Sequence, residues 1–135
     1  MKHVAIFGAG RIGRIHASNL AALPGVKLDY VCDPVSEAAQ ALAGQLQASV
    51  ASVEQVFADT AIDAVVIASS TDTHSDLLSR AAAARKHVFC EKPIDLSLER
   101  VRACAKAVQD AGIACMIGFQ RRFDPTFNEA RTRMD

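Results

Sequence analysis

Short runs of apolar residues alternate along the 135-residue chain with longer stretches in which apolar residues recur at helical spacing. An apolar run at 4–7 is followed by a helical pattern that Pro24 and Gly25 interrupt, and residues 26–32 then alternate between apolar and polar positions. The run at 64–68 is apolar without a break, which is typical of a strand buried on both faces of a sheet. The pattern therefore predicts strands that alternate with helices.

Capping patterns and prolines predict where the helices begin. We expect one helix to start directly after Asp33, with Pro34 in its first turn, where a missing N–H costs nothing. Ser52 stands three positions before Gln55, which predicts a capping box for a short helix. Thr73 and Asp76 have the same spacing, which predicts a capping box for a longer helix that reaches about Arg85.

The remaining pattern completes an α/β fold. Further strands are predicted at 48–50, 88–90 and 113–117, a helix before the last strand ends at Gly112, and a final helix begins near Pro125. Strands that alternate with helices indicate βαβ units around a parallel sheet, and right-handed crossovers place helices on both faces. We therefore expect a Rossmann, doubly wound parallel sheet with the strand order 3-2-1-4-5-6.

Composition excludes several classes of protein. Half of the residues are hydrophobic and 22% are charged, which excludes a disordered chain. Lys+Arg and Asp+Glu are both 15, and this neutral balance argues against a nucleic-acid partner. No apolar run approaches the ~20 residues that a membrane span needs, and the apolar start is too short for a secretory signal. The cysteines are scattered along the chain, at Cys32, Cys90, Cys104 and Cys115. We therefore expect buried, reduced thiols in a cytoplasmic protein and no metal site.

A glycine motif follows the first predicted strand. Gly8, Gly10 and Gly13 form GxGxxG at the strand-to-helix turn, where they permit a tight turn, backbone approach to a pyrophosphate and close packing of helix on strand. Arg11 and Ile12 lie between them at the helix N-terminus, whose N–H groups attract phosphate. The string alone also fits a tight turn without a ligand, but its place between strand and helix favours a dinucleotide site.

Asp33 ends the second predicted strand, twenty positions after Gly13. A carboxylate there accepts hydrogen bonds from the hydroxyls of an adenosine ribose, and it repels a 2′-phosphate. No arginine follows it directly, so we expect NAD rather than NADP. Asp33 also fits an N-cap for the following helix, and the two roles are compatible.

Polar residues follow the fourth and fifth predicted strands, at the sheet edge where such folds bind ligands. After the fourth strand, cofactor contacts are expected from Ser69, Ser70, Thr71 and His74. Helix capping by Thr73 explains part of the polar character of this loop. In the second group, Glu91 precedes Lys92, which points toward the crevice and could hydrogen-bond a reacting hydroxyl. Local chemistry alone leaves a salt bridge between these two residues, or a solvated lysine, equally open.

Four motifs in this order resemble the N-terminal half of the glucose–fructose oxidoreductase, inositol dehydrogenase and MocA family: VAIFGAGRIGRIHA, STDTHSDL, CEKPIDLS and GFQRRFDP. The likeness extends over the whole chain and is strongest to inositol 2-dehydrogenase-like members. It implies that the glycine loop and Asp33 bind NAD, with Glu91 and Lys92 also at the cofactor. It further implies that Lys92 is catalytic and is presented by a cis Lys92–Pro93 bond. Arg121 and Arg122 are expected near the active-site crevice, and Lys92 and Arg122 are expected to bind the substrate.

The resemblance also sets the expected domain plan. Residues 1–118 form the NAD-binding Rossmann domain, and 119–135 begin a helix that leads to a second, substrate-binding domain outside this chain. We expect the chain alone to be inactive, because that domain supplies much of the sugar pocket. Exposed apolar residues of the last segment would favour self-association of the chain, and the whole enzyme is expected to be a cytoplasmic homo-oligomer.

Three functions share parts of this pattern. The first is hydride transfer from a secondary alcohol of a cyclitol, polyol or sugar to NAD. A non-catalytic nucleotide-binding or redox-sensing module would also carry the glycine loop, but it needs no lysine at the position of Lys92. A methyltransferase usually has an acidic residue just ahead of its glycines, whereas this chain has an apolar run at 4–7. The dehydrogenase is therefore the leading hypothesis.

Overall fold

A computed structural model describes residues 1–134 as one parallel six-stranded sheet in the order β3-β2-β1-β4-β5-β6, which confirms the expected Rossmann topology. The strands are β1 (Lys2–Phe7), β2 (Val26–Cys32), β3 (Ser49–Val50), β4 (Ala64–Ile67), β5 (His87–Cys90) and β6 (Cys115–Ile117). The helices are α1 (Arg11–Ala22), α2 (Ser36–Leu46), α3 (Val53–Ala58), α4 (Thr71–Ala83), α5 (Leu98–Ala111) and α6 (Pro125–Thr132), with a 3-10 turn at Gln120–Phe123 before α6.

Two clusters of buried side chains lie on opposite faces of the sheet. Ala5 and Phe7 of β1 belong to one cluster, which includes side chains of α3, α4 and α5. Val4 and Ile6 belong to the other, which includes side chains of α1 and α2. Successive residues of a strand point to opposite faces, so a continuous apolar strand fills both cores at once.

The short helix α3 begins as the sequence predicts. The Ser52 hydroxyl accepts a hydrogen bond from the Gln55 amide at 3.2 Å, and the Gln55 side chain accepts one from the Ser52 amide at 2.7 Å. This reciprocal pair is a complete capping box.

Two other helix starts differ from the prediction. α2 begins at Ser36 after an N-cap at Val35, so Pro34 precedes the helix and Asp33 does not cap it. α4 begins at Thr71, and the Thr73 hydroxyl donates to the Ser70 carbonyl at 2.7 Å, so the predicted capping box at Thr73 is wrong. At α4 the threonine hydroxyl bonds a carbonyl rather than an amide, whereas Asp33 still accepts the Val35 amide as a capping residue would, although the helix begins only after Val35.

The cysteines confirm the prediction at three positions and correct it at one. Cys32, Cys90 and Cys104 are buried and unpaired, and burial raises the pKa of Cys32 to about 11 and that of Cys90 to about 12. These two thiols therefore stay protonated at neutral pH. Cys115 is exposed, because it lies on β6 at the edge of the sheet.

The last segment exposes large apolar side chains, as expected. Phe119 is 55% exposed, Phe123 is 68% exposed and Phe127 is 48% exposed. The predicted connecting segment ends at Asp135, which lies outside the described residues. Among residues 1–134, every helix is too short or too polar to cross a membrane.

A buried lysine secures the loop between α3 and β4. Lys86 is only 3% exposed, and its ammonium donates to the carbonyls of Asp59 at 2.7 Å and Ile62 at 3.0 Å. Burial lowers the pKa of Lys86, and the nearby carboxylates of Asp59 and Asp63 oppose that shift. The lysine thereby satisfies two carbonyls at the amino end of the sheet, opposite the edge where ligands bind in this fold.

We predict that Lys86→Met lowers the free energy of unfolding by about 3 kcal/mol, because it leaves the Ile62 carbonyl without a donor and the Asp59 carbonyl with only the long 3.3 Å bond from the Ile62 amide. Chemical denaturation measures the effect. Lys106→Met is the matched control, since Lys106 forms only an exposed i,i+4 pair with Asp110 and its loss costs less than about 0.5 kcal/mol. Equal losses from the two variants would contradict this role.

The contact between β1 and α1 leaves no room for a side chain at Gly13. A Cβ there would lie 1.9 Å from the Gly8 carbonyl oxygen. Gly44 in α2 offers a contrast, because a Cβ at that exposed helical position meets nothing within 4 Å.

We predict opposite effects of alanine at these two glycines. Gly13→Ala destabilises the fold by about 3 kcal/mol or more, since α1 must move away from β1. Gly44→Ala stabilises it by roughly 0.5–1 kcal/mol, because alanine loses less backbone entropy in a helix. Thermal and urea unfolding of both variants test this. A Gly13→Ala protein as stable as the parent would show that the turn has more space than the structure gives it.

Candidate functional site

A cleft of about 830 Å³ lies at the carboxyl ends of the central strands. It is bordered by the β1–α1 turn, the end of β2, the β4–α4 loop and the segment after β5. The expected cofactor residues all line it except Gly13, which packs beneath the turn. The strand order places them together, because β1 lies between β2 and β4 and β5 adjoins β4.

The glycine turn forms one wall of the cleft. Gly8 has a φ of +105°, and a Cβ on it would lie 2.4 Å from the Ala68 carbonyl oxygen. At Gly10 a Cβ would meet nothing within 4 Å, so the backbone there faces open space. Helix α1 then begins at Arg11 with neither a capping side chain nor an acidic residue in its first turn. Its free N–H groups and positive dipole end suit an anion such as a pyrophosphate.

Asp33 connects two walls of the cleft. One carboxylate oxygen accepts a hydrogen bond from the Ala9 amide at 2.6 Å, and the other accepts one from the Val35 amide at 2.8 Å. These bonds fix the half-buried carboxylate between the glycine turn and the start of α2. Each oxygen can accept more than one hydrogen bond, so Asp33 can still receive hydroxyl groups of a ligand.

The β4–α4 loop is ordered by its own hydroxyls. The Thr73 hydroxyl donates to the Ser70 carbonyl, so in its 2.7 Å contact with Ser69 the Ser69 hydroxyl is the donor. Ser70 and Thr71 lie at the start of α4 and face the cleft.

Glu91 and Lys92 have separate environments. Glu91 binds the ring of His16, with Nε2 and Oε1 2.8 Å apart. Among residues 1–134 no ion pair joins Glu91 to Lys92, so the salt-bridge alternative is wrong and the exposed lysine fits the solvated one. The Lys92 side chain is exposed, and within residues 1–134 its ammonium has no hydrogen-bond or ion-pair partner. The Lys92–Pro93 peptide bond is cis, as the family resemblance implied.

His74 lies beside the same segment but is only 2% exposed. Its Nδ1 is 2.8 Å from the Pro93 carbonyl oxygen, and its Nε2 is 3.0 Å from the Ser69 carbonyl oxygen. Both ring nitrogens are thus engaged inside the protein, and the ring reaches the cleft only at its border.

The sequence analysis missed several cleft residues. His16 and Gln120 line the cleft, and so do four smaller or apolar residues: Ile15, Pro34, Ala68 and Thr73. One signal was present, because Ile12, Ile15 and His16 share the spacing of one helix face. Gln120 lies within the GFQRRFDP motif, but nothing in its local pattern predicts that it reaches the cleft.

Arg122 lies outside the main cleft. It lines an adjoining depression of about 440 Å³ together with Arg121, Phe119, Gln120 and Lys92. Lys92 and Gln120 border both spaces, so the two connect at the lysine. The Arg121 guanidinium lies over the Phe127 ring at 4.6 Å, a cation–π contact.

A second depression of about 450 Å³ opens from the other side of the cleft. It shares Gly8, Asp33 and Ser69 with the cleft, and its far side includes Val53 and Leu77. Its apolar lining suits a flat aromatic group adjacent to the carboxylate of Asp33.

Several known proteins with similar sequences are inositol dehydrogenases. The chain is 48% identical over 130 residues to an inositol 2-dehydrogenase of Rhizobium meliloti, covering 96% of this chain and 39% of that protein. It is 42% identical over 134 residues to a scyllo-inositol 2-dehydrogenase (NAD(+)) of Bacillus subtilis, covering 97% and 39%. The chain thus spans about two fifths of the length of these curated relatives.

The fold matches as closely as the sequence. The crystal structure of a scyllo-inositol dehydrogenase from Lactobacillus casei with bound NAD(H) and scyllo-inositol superposes with a TM-score of 0.92 at 29% identity, covering all of this chain and 41% of that one. A family model described as an oxidoreductase family with an NAD-binding Rossmann fold matches residues 2–119. The chain therefore belongs to the glucose–fructose oxidoreductase, inositol dehydrogenase and MocA family and forms its NAD-binding Rossmann domain.

Proposed function

We propose that this chain is the cofactor half of an NAD-dependent dehydrogenase that oxidises a secondary alcohol of an inositol or a related cyclitol, polyol or sugar. The position of Lys92 is the observation that carries the proposal. Its exposed ammonium has no partner among residues 1–134 and lies where the cofactor cleft meets the depression lined by Arg122. A module that only senses a nucleotide has no use for this lysine.

The residues of the cleft fit NAD along its length. The open space at Gly10 and the N-terminus of α1 would hold the pyrophosphate, and Asp33 would accept the ribose hydroxyls. The apolar depression beside Asp33 would take the adenine. Ser69, Ser70 and Thr71 would contact the half of the cofactor that lies toward Lys92. When bound, the nicotinamide ring supplies the hydride acceptor.

Lys92 would act on the alcohol rather than on the phosphates. Its ammonium can donate a hydrogen bond to the reacting hydroxyl and stabilise negative charge that develops on that oxygen. Proton removal needs a further acceptor, because a charged ammonium has no lone pair. The depression lined by Arg122 and Gln120 lies beside Lys92 and would hold other hydroxyls of the substrate.

Several expectations about the whole protein stay predictions. Residues 119–135 are proposed to lead into a substrate-binding domain, and the exposed Phe119, Phe123 and Phe127 would pack there or against another copy. A homo-oligomeric enzyme in the cytoplasm fits this plan. Size-exclusion chromatography of the chain would show whether these phenylalanines promote self-association.

We predict that the chain binds NADH more tightly than NADPH and that Asp33→Ala narrows this difference. Loss of the charge-assisted hydrogen bonds should weaken NADH binding about tenfold to a hundredfold, with a smaller effect on NADPH. Titrations that follow the cofactor's fluorescence give both dissociation constants. Glu37→Ala is the matched control, because Glu37 is an exposed carboxylate of α2 outside the cleft. Equal affinity of the parent chain for the two cofactors would contradict the assignment of NAD.

A chimera tests the reaction itself. We expect this chain, when it replaces the matching segment of the Rhizobium meliloti inositol 2-dehydrogenase, to support NADH formation from myo-inositol. Lys92→Met in the chimera should lower kcat by about 10²–10⁴ and leave the dissociation constant for NADH unchanged, because the lysine acts on the alcohol. Lys106→Met is the control. The chain alone should form no measurable NADH, and turnover equal to that of the chimera would place all catalytic groups within residues 1–135.

A further inference from the structure

We propose that His16 and His74 are positioning residues that hold the Glu91–Lys92–Pro93 segment from opposite sides and thereby fix Lys92 at the edge of the cleft. The positioning role of the two histidines rests on the proposed function only because Lys92 must meet a substrate. The position of Lys92 itself follows from the contacts around the Glu91–Lys92–Pro93 segment. Neither histidine belongs to the glycine motif, and each comes from a different helix that faces the cleft.

His16 holds the residue before the lysine. Its Nε2 is 2.8 Å from Glu91 Oε1, and the other oxygen, Oε2, accepts a hydrogen bond from the Lys92 amide at 3.3 Å. The imidazole lies against the Phe89 ring at 4.9 Å, so its orientation is fixed by packing. The Glu91 carboxylate thus connects α1 to the backbone of Lys92.

His74 holds the residue after the lysine. A hydrogen bond from Nδ1 to the Pro93 carbonyl attaches the segment to α4, whereas one from Nε2 to the Ser69 carbonyl holds only the ring against the β4–α4 loop. A neutral imidazole carries one N–H and can donate to only one of these carbonyls. Which contact positions the lysine is therefore open to a direct test.

The next residue of α4 strengthens this attachment. The Ser75 hydroxyl donates to Asp95 at 2.6 Å, and the Arg100 guanidinium lies 3.0 Å from the same carboxylate. The hydrogen bonds from Ser75 and the Ser97 amide, together with Arg100, hold the pKa of the Asp95 carboxyl below its ordinary value. The Ser75 hydrogen bond therefore ties the chain after Pro93 to α4, and the ion pair with Arg100 ties it to α5, so the lysine lies between two anchored points.

The two histidines also connect Lys92 to the cofactor walls. α1 begins at the glycine turn and carries His16, whereas α4 begins at the Ser69–Thr71 loop and carries His74. Packed helices transmit the position of their first turn to residues one turn further on. The walls that contact the cofactor therefore also set the place of Lys92.

Amide exchange in the chain of 135 residues tests the His16 contact. His16→Ala should speed exchange of the Lys92 amide about tenfold, since Glu91 is no longer held to accept it. The Glu91 amide is the internal control, because it donates to the Ile67 carbonyl at 2.8 Å and should not change. His16→Gln, whose amide nitrogen reaches the position of Nε2, should restore slow exchange.

Two isosteric variants test the His74 contact. Asparagine places its amide nitrogen near the position of Nδ1, and glutamine places it near that of Nε2. We expect His74→Asn to keep the Pro93 contact and an ordered Lys92 backbone, with an NMR order parameter of about 0.85. His74→Gln and His74→Ala should lower that order parameter toward about 0.6. Should the alanine variant fail to fold, the comparison of asparagine with glutamine decides the matter.

His87→Ala is the matched histidine control, because His87 accepts a hydrogen bond from the Ala114 amide at the opposite end of β5. Unchanged Lys92 exchange and order in the His16 and His74 variants, or equal behaviour of His74→Asn and His74→Gln, would overturn the proposal. These readouts need neither cofactor nor turnover. A chimera that binds NADH but oxidises no alcohol would refute the proposed function and leave the positioning result standing. If the proposed function and the positioning role both hold, His16→Ala in the chimera should lower kcat about tenfold at an unchanged KM for NAD.

Discussion

The direct packing of α1 on the first turn after β1 is the contact on which the rest of the site depends. Gly13 meets the Gly8 carbonyl where any Cβ would overlap it, and Gly8 meets the Ala68 carbonyl in the same way. Because no side chain separates these backbones, the helix starts at the sheet edge with its free N–H groups facing the cleft. The same contact brings the β4–α4 loop against the turn. A wider turn would move the anion site, the Ser69 loop and His16 together.

Backbone groups hold most of the cleft in place. Asp33 receives amides from the glycine turn and from the β2–α2 turn, and His74 meets two carbonyls. Such contacts fix the loops, and each Asp33 oxygen can still accept a further hydrogen bond. Lys92 lies between two anchored neighbours, and its ammonium has no partner within residues 1–134.

The two ends of the sheet differ in whether their polar groups are occupied within the protein. At the amino ends of the strands, Lys86 caps two carbonyls and Lys2 pairs with Asp63, and these groups are occupied within the protein. At the carboxyl ends, one cleft brings together open space, free N–H groups and Lys92, whose ammonium is without a partner in the described part of the chain. This separation explains why Lys86→Met is expected to affect stability, whereas Lys92→Met is expected to affect catalysis.

The sequence by itself determined the strand order, the glycine turn, the position of Asp33 and Lys92, and the capping box of α3. Each of these depends on residues close together in the chain or on the alternation of apolar strands and helices, which permits few topologies. Only the tertiary structure decided that His16 binds Glu91, 75 positions away, that Gln120 reaches the cleft, and that Cys115 is exposed on an edge strand. It also decided that α2 and α4 begin at Ser36 and Thr71. A local pattern shows which partners a polar group could have, but the packing of distant elements decides which partner is within hydrogen-bond distance.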